Sequence, residues 1–119
     1  MKLKSLQERS KEFALHIILK SRELPRTLDA RELGRRILRN GTRMAAKIST
    51  LTYVRGQLLF IHRLTLALQD LDQVQLWCDL VIDSQILSAE KLQDLRDEAH
   101  ALARIIKLSI RHAKRRFKK

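Results

Sequence analysis

The stretch Leu58-Leu59-Phe60-Ile61-His62-Arg63-Leu64-Thr65-Leu66-Ala67-Leu68-Gln69-Asp70-Leu71, continuing as Asp72-Gln73-Val74-Gln75-Leu76-Trp77-Cys78-Asp79-Leu80-Val81-Ile82-Asp83-Ser84-Gln85, decides the fold. Apolar side chains recur at Leu58, Ile61, Leu64, Leu68, Leu71, Val74, Cys78 and Val81, the period of one helix face, with no glycine or proline between them. Phe60, Ala67, Trp77 and Ile82 widen the stripe beyond a narrow seam, so partners are expected on more than one side. At about 1.5 Å per residue this helix is roughly 40 Å long, and the rest of the chain must pack around it.

On its C-terminal side, Ile86-Leu87 passes into Ser88-Ala89-Glu90, a serine cap followed by a first-turn acid. The helix that follows carries Leu92, Leu95, Ala99, Leu102, Ile106, Ile110, Ala113 and Phe117 on one side. On the N-terminal side, Ser49 to Gly56 is rich in β-branched and aromatic residues and holds the break before the central helix. Upstream, Asp29-Ala30-Arg31-Glu32 carries a capping signature, and Leu33, Ile37, Met44, Ile48 and Leu51 form an apolar face. The Asn40-Gly41 pair inside this segment reads either as a hairpin turn or as part of a helix; its helical flanks favour the helix. The first segment opens at Ser5-Leu6-Gln7-Glu8, another capping box. It presents Leu6, Phe13, Ile17 and Leu24, with Ala14 and Ile18 beside them, and stops before Pro25. The expectation is an all-α, up-down four-helix bundle in one domain, with helices over about residues 5–24, 29–50, 55–86 and 88–117.

A chain of 119 residues is long enough to bury a core without metal or disulfide support. The single cysteine, Cys78, lies on the apolar stripe and is read as a small buried hydrophobe. No signal-peptide pattern and no run of membrane-spanning length occurs, which points to the cytoplasm.

The formal net charge of +12 calls for a polyanionic partner, nucleic acid before an anionic membrane surface. The charge is segregated: residues 56–103 hold three basic and eight acidic side chains, whereas residues 104–119 hold eight basic and none acidic. Arg31, Arg35, Arg39, Arg43 and Lys47 recur every four residues, with Arg36 alongside and Arg55 beyond. Arg104, Lys107, Arg111, Lys114, Arg115, Arg116 and Lys118 form a second ridge on the last helix. Up-down packing brings the end of the second helix and the C-terminus to one pole, with Asp79, Asp83, Glu90, Asp94, Asp97 and Glu98 at the other. Few aromatics are free to stack on bases, so phosphate contact is the expected mode. A membrane-surface role is disfavoured because the basic faces lack interleaved aromatics.

Catalytic signatures are missing. His16, His62, His100 and His112 stand on separate segments without metal-ligand spacing, and there is no paired Glu-x-x-His, phosphate loop or nucleophile motif. Asp70, Asp72, Asp79 and Asp83 lie mostly off the apolar stripe and are read as solvated. The sequence therefore predicts no enzyme and no cofactor.

The run Phe60-Ile61-His62-Arg63-Leu64-Thr65-Leu66-Ala67-Leu68-Gln69-Asp70-Leu71 resembles the central-helix motif of small bacterial four-helix-bundle proteins. Some of these are encoded in intervening sequences of large-subunit ribosomal RNA genes; a sister branch comprises the accessory variability proteins of diversity-generating retroelements. The Leu87-Ser88-Ala89-Glu90 helix entry and the arginine-rich segment around Arg39 are similar as well. Where the intervening-sequence branch has Asn-Ile-Ala-Glu-Gly, this chain has Lys47-Ile48-Ser49-Thr50-Leu51, and this with the charge favours the retroelement branch. That resemblance implies a barrel-shaped homopentamer that binds a reverse transcriptase and its template RNA, with cDNA a further ligand. The alternative is a structural or ribosome-associated interaction module. Leu59, Leu66 and Leu76, off the main stripe, provide the apolar surface that such an oligomer would cover.

Overall fold

The first helix stops where the sequence stops supporting it. The N–H groups of Arg22, Glu23 and Leu24 turn back to the carbonyls of Leu19, Lys20 and Ser21, tightening the last turn just ahead of Pro25. In the computed structural model, which describes residues 2–117, the elements are α1 (Leu3–Ser21), α2 (Leu28–Ser49), α3 (Gln57–Asp83) and α4 (Ala89–Phe117). A 3-10 turn, Leu51–Tyr53, joins α2 to α3, and there is no strand among the described residues. Helix α2 packs on α1 and α3, and α4 packs on α3 and α1, so the four run up and down around one core. The bundle measures 52 × 21 × 20 Å.

The expected four-helix architecture is present, with corrected boundaries. Ser5 is not a cap: α1 begins at Leu3, after an extended Lys2 that makes no side-chain capping bond. Asp29 is not the cap of α2 either. Thr27 caps it, accepting from the Ala30 N–H at 3.4 Å, while Asp29 accepts from the same N–H at 2.8 Å and from the Thr27 hydroxyl at 2.6 Å. These bonds stabilise the ionised carboxylate and lower the Asp29 pKa, the Thr27 bond most of all. Ser88 does cap α4, accepting from the Lys91 N–H at 3.3 Å.

Asn40-Gly41 continues the helix, and Gly41 has a packing reason to be there. A Cβ at this position would lie 2.2 Å from Cδ1 of Ile17, so the missing side chain lets α1 and α2 approach closely. Gly56 has a different role: it adopts φ 90°, a left-handed conformation that glycine tolerates, and starts α3 after the 3-10 turn. Helix α3 ends at Asp83, short of the expected 86. Gln85 takes φ 65° there, its N–H bonds the Ile82 carbonyl and the Ile86 N–H bonds the Val81 carbonyl. This paired closure is a Schellman stop with glutamine at the left-handed position.

The core combines the expected faces: Leu6, Phe13 and Ile17 of α1, Ile37, Met44 and Ile48 of α2, and Leu92, Leu95, Leu102 and Ile106 of α4 surround α3. Leu64, Ala67, Leu71, Val74, Cys78 and Val81 supply the centre of α3. Leu58, read as part of that stripe, is 66% exposed, because in the first turn of α3 the inward face passes through Gln57 and Phe60 rather than Leu58. Asp70, read as solvated, is 6% exposed and belongs to the packed face between Ala67 and Val74. The Phe117 side chain lies outside the described features.

Candidate nucleic-acid interface

The register of α2 sets which of its cations remain free. Ala30, Gly34, Ile37, Gly41, Met44 and Ile48 face inward, so Arg31, Arg35, Arg39 and Arg43 face out and are exposed. Lys47 drifts toward α3, where its ammonium group forms an ion pair with the buried Asp70 carboxylate. It is half-buried and already neutralised, so its expected place among free phosphate-binding cations does not hold. Arg36 is also engaged. Its Nε donates to Glu32 at 3.0 Å, and its guanidinium lies 5.2 Å from the centre of the Trp77 ring. Arg35 makes a looser approach to Glu32 at 3.8 Å.

On α4, Arg104, Lys107, Arg111, Lys114, Arg115 and Arg116 are exposed and have no carboxylate partner among the described residues. The same holds for Arg31, Arg39, Arg43 and Arg55. Lys118 lies outside the described residues. The two ridges sit on helices at opposite corners of the bundle, each flanked by α1 and α3, rather than side by side. In the up-down order α2 and α4 end at the same pole. Arg31 and Arg35 fall at the other end, where the cleft around the α1–α2 connection also gathers Arg22 and Arg26. Neither Arg22 nor Arg26 belongs to the periodic ridge, and only the turn before α2 brings them beside Arg31 and Arg35.

The acids at the far pole are partly tied into the bundle. Arg9 grips Glu98 with both carboxylate oxygens in range, at 3.0 and 3.2 Å, and Arg96 pairs with Asp79 at 3.0 Å. These pairs use acids for helix–helix contact and leave the opposite end with an uncompensated positive surface. Among the described residues there is no group of three or more His, Cys, Asp or Glu side chains placed to hold a metal ion. No described helix is long and apolar enough to cross a membrane.

Behind the ridges is a polar contact that periodicity concealed. Asn40 and Asp70 meet between α2 and α3, with Nδ2 of Asn40 donating to Asp70 at 3.1 Å and to Gln73 at 2.6 Å. The available signal was positional: Asn40 lies three residues after Ile37 and four before Met44, at core spacing.

A solved structure shares this arrangement. It is a protein of unknown function from the S23 ribosomal protein family of Bacteroides thetaiotaomicron, 22% identical, with a TM-score of 0.83. The similarity covers 93% of this chain and 99% of that one. The likeness establishes the bundle fold. It does not support the retroelement branch favoured by the charge and by Lys47-Ile48-Ser49-Thr50-Leu51. No known family model matches the sequence, and no curated protein sequence matches it.

Proposed function

We propose that the protein is a non-enzymatic RNA-binding module that holds phosphates on arginine and lysine side chains. The observation that carries this reading is the set of exposed cations without carboxylate partners among the described residues, from Arg39, Arg43 and Arg55 to Arg104, Lys107, Arg111 and Arg115. Ordinary solvated helix faces commonly neutralise such rows with acids three or four residues away. Here the last helix has none after Glu98. Binding of this kind is largely indifferent to sequence and weakens with salt as counterions are released.

In its finer form, supported by the motif resemblance, the module acts in the cytoplasm as a cyclic homo-oligomer, a pentamer, and presents RNA or its cDNA to a reverse transcriptase. Exposed Leu59, Leu76 and Leu80 on α3 support self-association. The second reading is a ribosome-associated structural module, favoured by the family of the similar solved structure. A fluorescently labelled RNA titrated at rising salt tests the common core. A steep linear fall of log affinity against log salt is expected; no affinity at low salt overturns RNA binding. Copurification with a reverse transcriptase separates the first reading from the second, for which cosedimentation with ribosomal subunits is expected. Light scattering at micromolar concentration reads the oligomer, and a monomer removes the cyclic assembly.

A further inference from the structure

The basic pole carries an apolar groove whose floor phosphate binding does not use, although its rim shares arginines with the basic ridge. Its volume is 820 Å³, within the range of about 300–1,000 Å³ typical of binding clefts. Its floor is formed by Leu6, Val54, Phe60 and Leu64, which come from α1, the α2–α3 connection and α3, and by Ile105 and Leu108 of α4. Along one edge α4 places Arg111 and, one turn further on, the adjacent Arg115 and Arg116, all exposed and without carboxylate partners among the described residues. Leu108 is 53% exposed, so part of the groove's apolar wall faces outward.

We infer that this groove docks an acidic amphipathic helix of a partner protein. Apolar side chains at helical spacing would enter over Leu108 and Phe60, as in helix-in-groove recognition, and flanking carboxylates would meet Arg111, Arg115 and Arg116. RNA fits the groove less well. Its floor is aliphatic except for Phe60, and the Ser109 hydroxyl is already donated to the Ile105 carbonyl, so only Phe60 and the exposed His112 at the α4 edge are left to meet a base. The inference goes beyond RNA binding and does not depend on it.

The test uses the full chain and a labelled peptide of about five helical turns, with leucines at positions i, i+3, i+4 and i+7 and glutamates on the flanks. A scrambled peptide of the same composition is the control for charge alone. The patterned peptide should bind more tightly than the scrambled one. Leu108→Gln should weaken it about tenfold, the loss expected when an exposed leucine leaves an apolar contact. This substitution changes no charge and removes no fully buried side chain, so RNA affinity and circular dichroism should stay at the parent values. The proposal fails if the two peptides bind equally or if Leu108→Gln leaves peptide affinity unchanged. It also fails if uridine homopolymer RNA displaces the peptide and loses affinity with Leu108→Gln, which would assign the groove to RNA. A lower oligomer mass in Leu108→Gln would assign it to a second copy of the chain and overturn the proposal equally. Loss of RNA binding in the parent with peptide binding retained removes the RNA reading alone.

Discussion

The indole N–H of Trp77 donates to Oδ1 of Asn40 across the α2–α3 interface at 2.9 Å. Through the same amide, Asn40 reaches Asp70 and Gln73, and Asp70 in turn holds Lys47. One asparagine thus satisfies groups on three successive turns of α3. Because each bond requires one relative position of the helices, the network fixes the register of α2 against α3. Arg39 and Arg43 are carried outward on that registered helix. Asn40→Ala should cost about 2–4 kcal/mol, since it leaves the indole unpaired and strips the buried carboxylate of a donor. Urea unfolding measures it; a change below about 1 kcal/mol would show that the network is replaceable by water.

Gly41 and Ile17 give a second test of the packing. Gly41→Ala would place Cβ against Cδ1 of Ile17 at 2.2 Å. Overpacking should cost about 1–3 kcal/mol, partly offset by the helix preference of alanine, near 1 kcal/mol. Ile17→Val removes the clashing methyl. The double variant should therefore be more stable than the sum of the single effects predicts, by about 1 kcal/mol or more in a double-mutant cycle. Strict additivity would mean that the helices separate rather than clash.

Gln85 holds a conformation that suits glycine. Gln85→Gly should leave both Schellman hydrogen bonds in place and remove the Cβ strain at φ 65°, raising stability by about 1 kcal/mol. A thermal melt reads the shift, and a lower midpoint would show that unfolded-state entropy outweighs the strain.

Cys78 is a buried thiol whose pKa is raised from 9.0 to about 11, by desolvation first, with Asp79 adding to the rise and Arg96 opposing it. The thiolate is therefore disfavoured in the folded state, and a thiol reagent at pH 8 should react slowly until denaturant is added. The linkage sign follows. Between about pH 9 and 11 the unfolded chain releases this proton first, so the Cys78 contribution to stability falls as pH rises. Cys78→Ala should remove that component of the alkaline slope; an identical slope in both proteins would exclude it.

Helix number and order were legible because each segment keeps one apolar period, and Asn40-Gly41 could be judged helical from its flanks. The helix ends were less legible. Ser5 and Asp29 occupy good capping patterns, yet the chain enters each helix about two residues earlier, where extended backbone at Lys2 and Thr27 allows it. Exposure of Arg31, Arg35, Arg39 and Arg43 followed from the period. The capture of Lys47 did not, because it depends on Asp70 being buried, and a carboxylate at core spacing looks the same in sequence as a solvated one. The separation of the ridges depends on bundle order, which places α2 and α4 at opposite corners.

That separation predicts how RNA length matters. The bundle is 20–21 Å across, so a single strand of a few nucleotides laid on α2 cannot also follow α4. For such a short RNA, Arg39→Ala with Arg43→Ala should reduce the salt slope by about one to two units, near 0.7–0.9 per lost phosphate contact. Arg104→Ala with Lys107→Ala should act separately, and because a short ligand can still use the ridge left intact, the combined variant should lose more affinity than the two separate losses sum to. A longer RNA can bend around the pole where α2 and α4 both end and touch both ridges at once. Removing either ridge should then cost more affinity than it does with the short RNA, because the second contact becomes intramolecular. If both pairs of substitutions have equal effects on short and long RNA, the ridges act as separate sites and do not share one strand. If the Arg39/Arg43 variant stays folded and keeps the parent slope with every RNA, the α2 ridge is a solvated face.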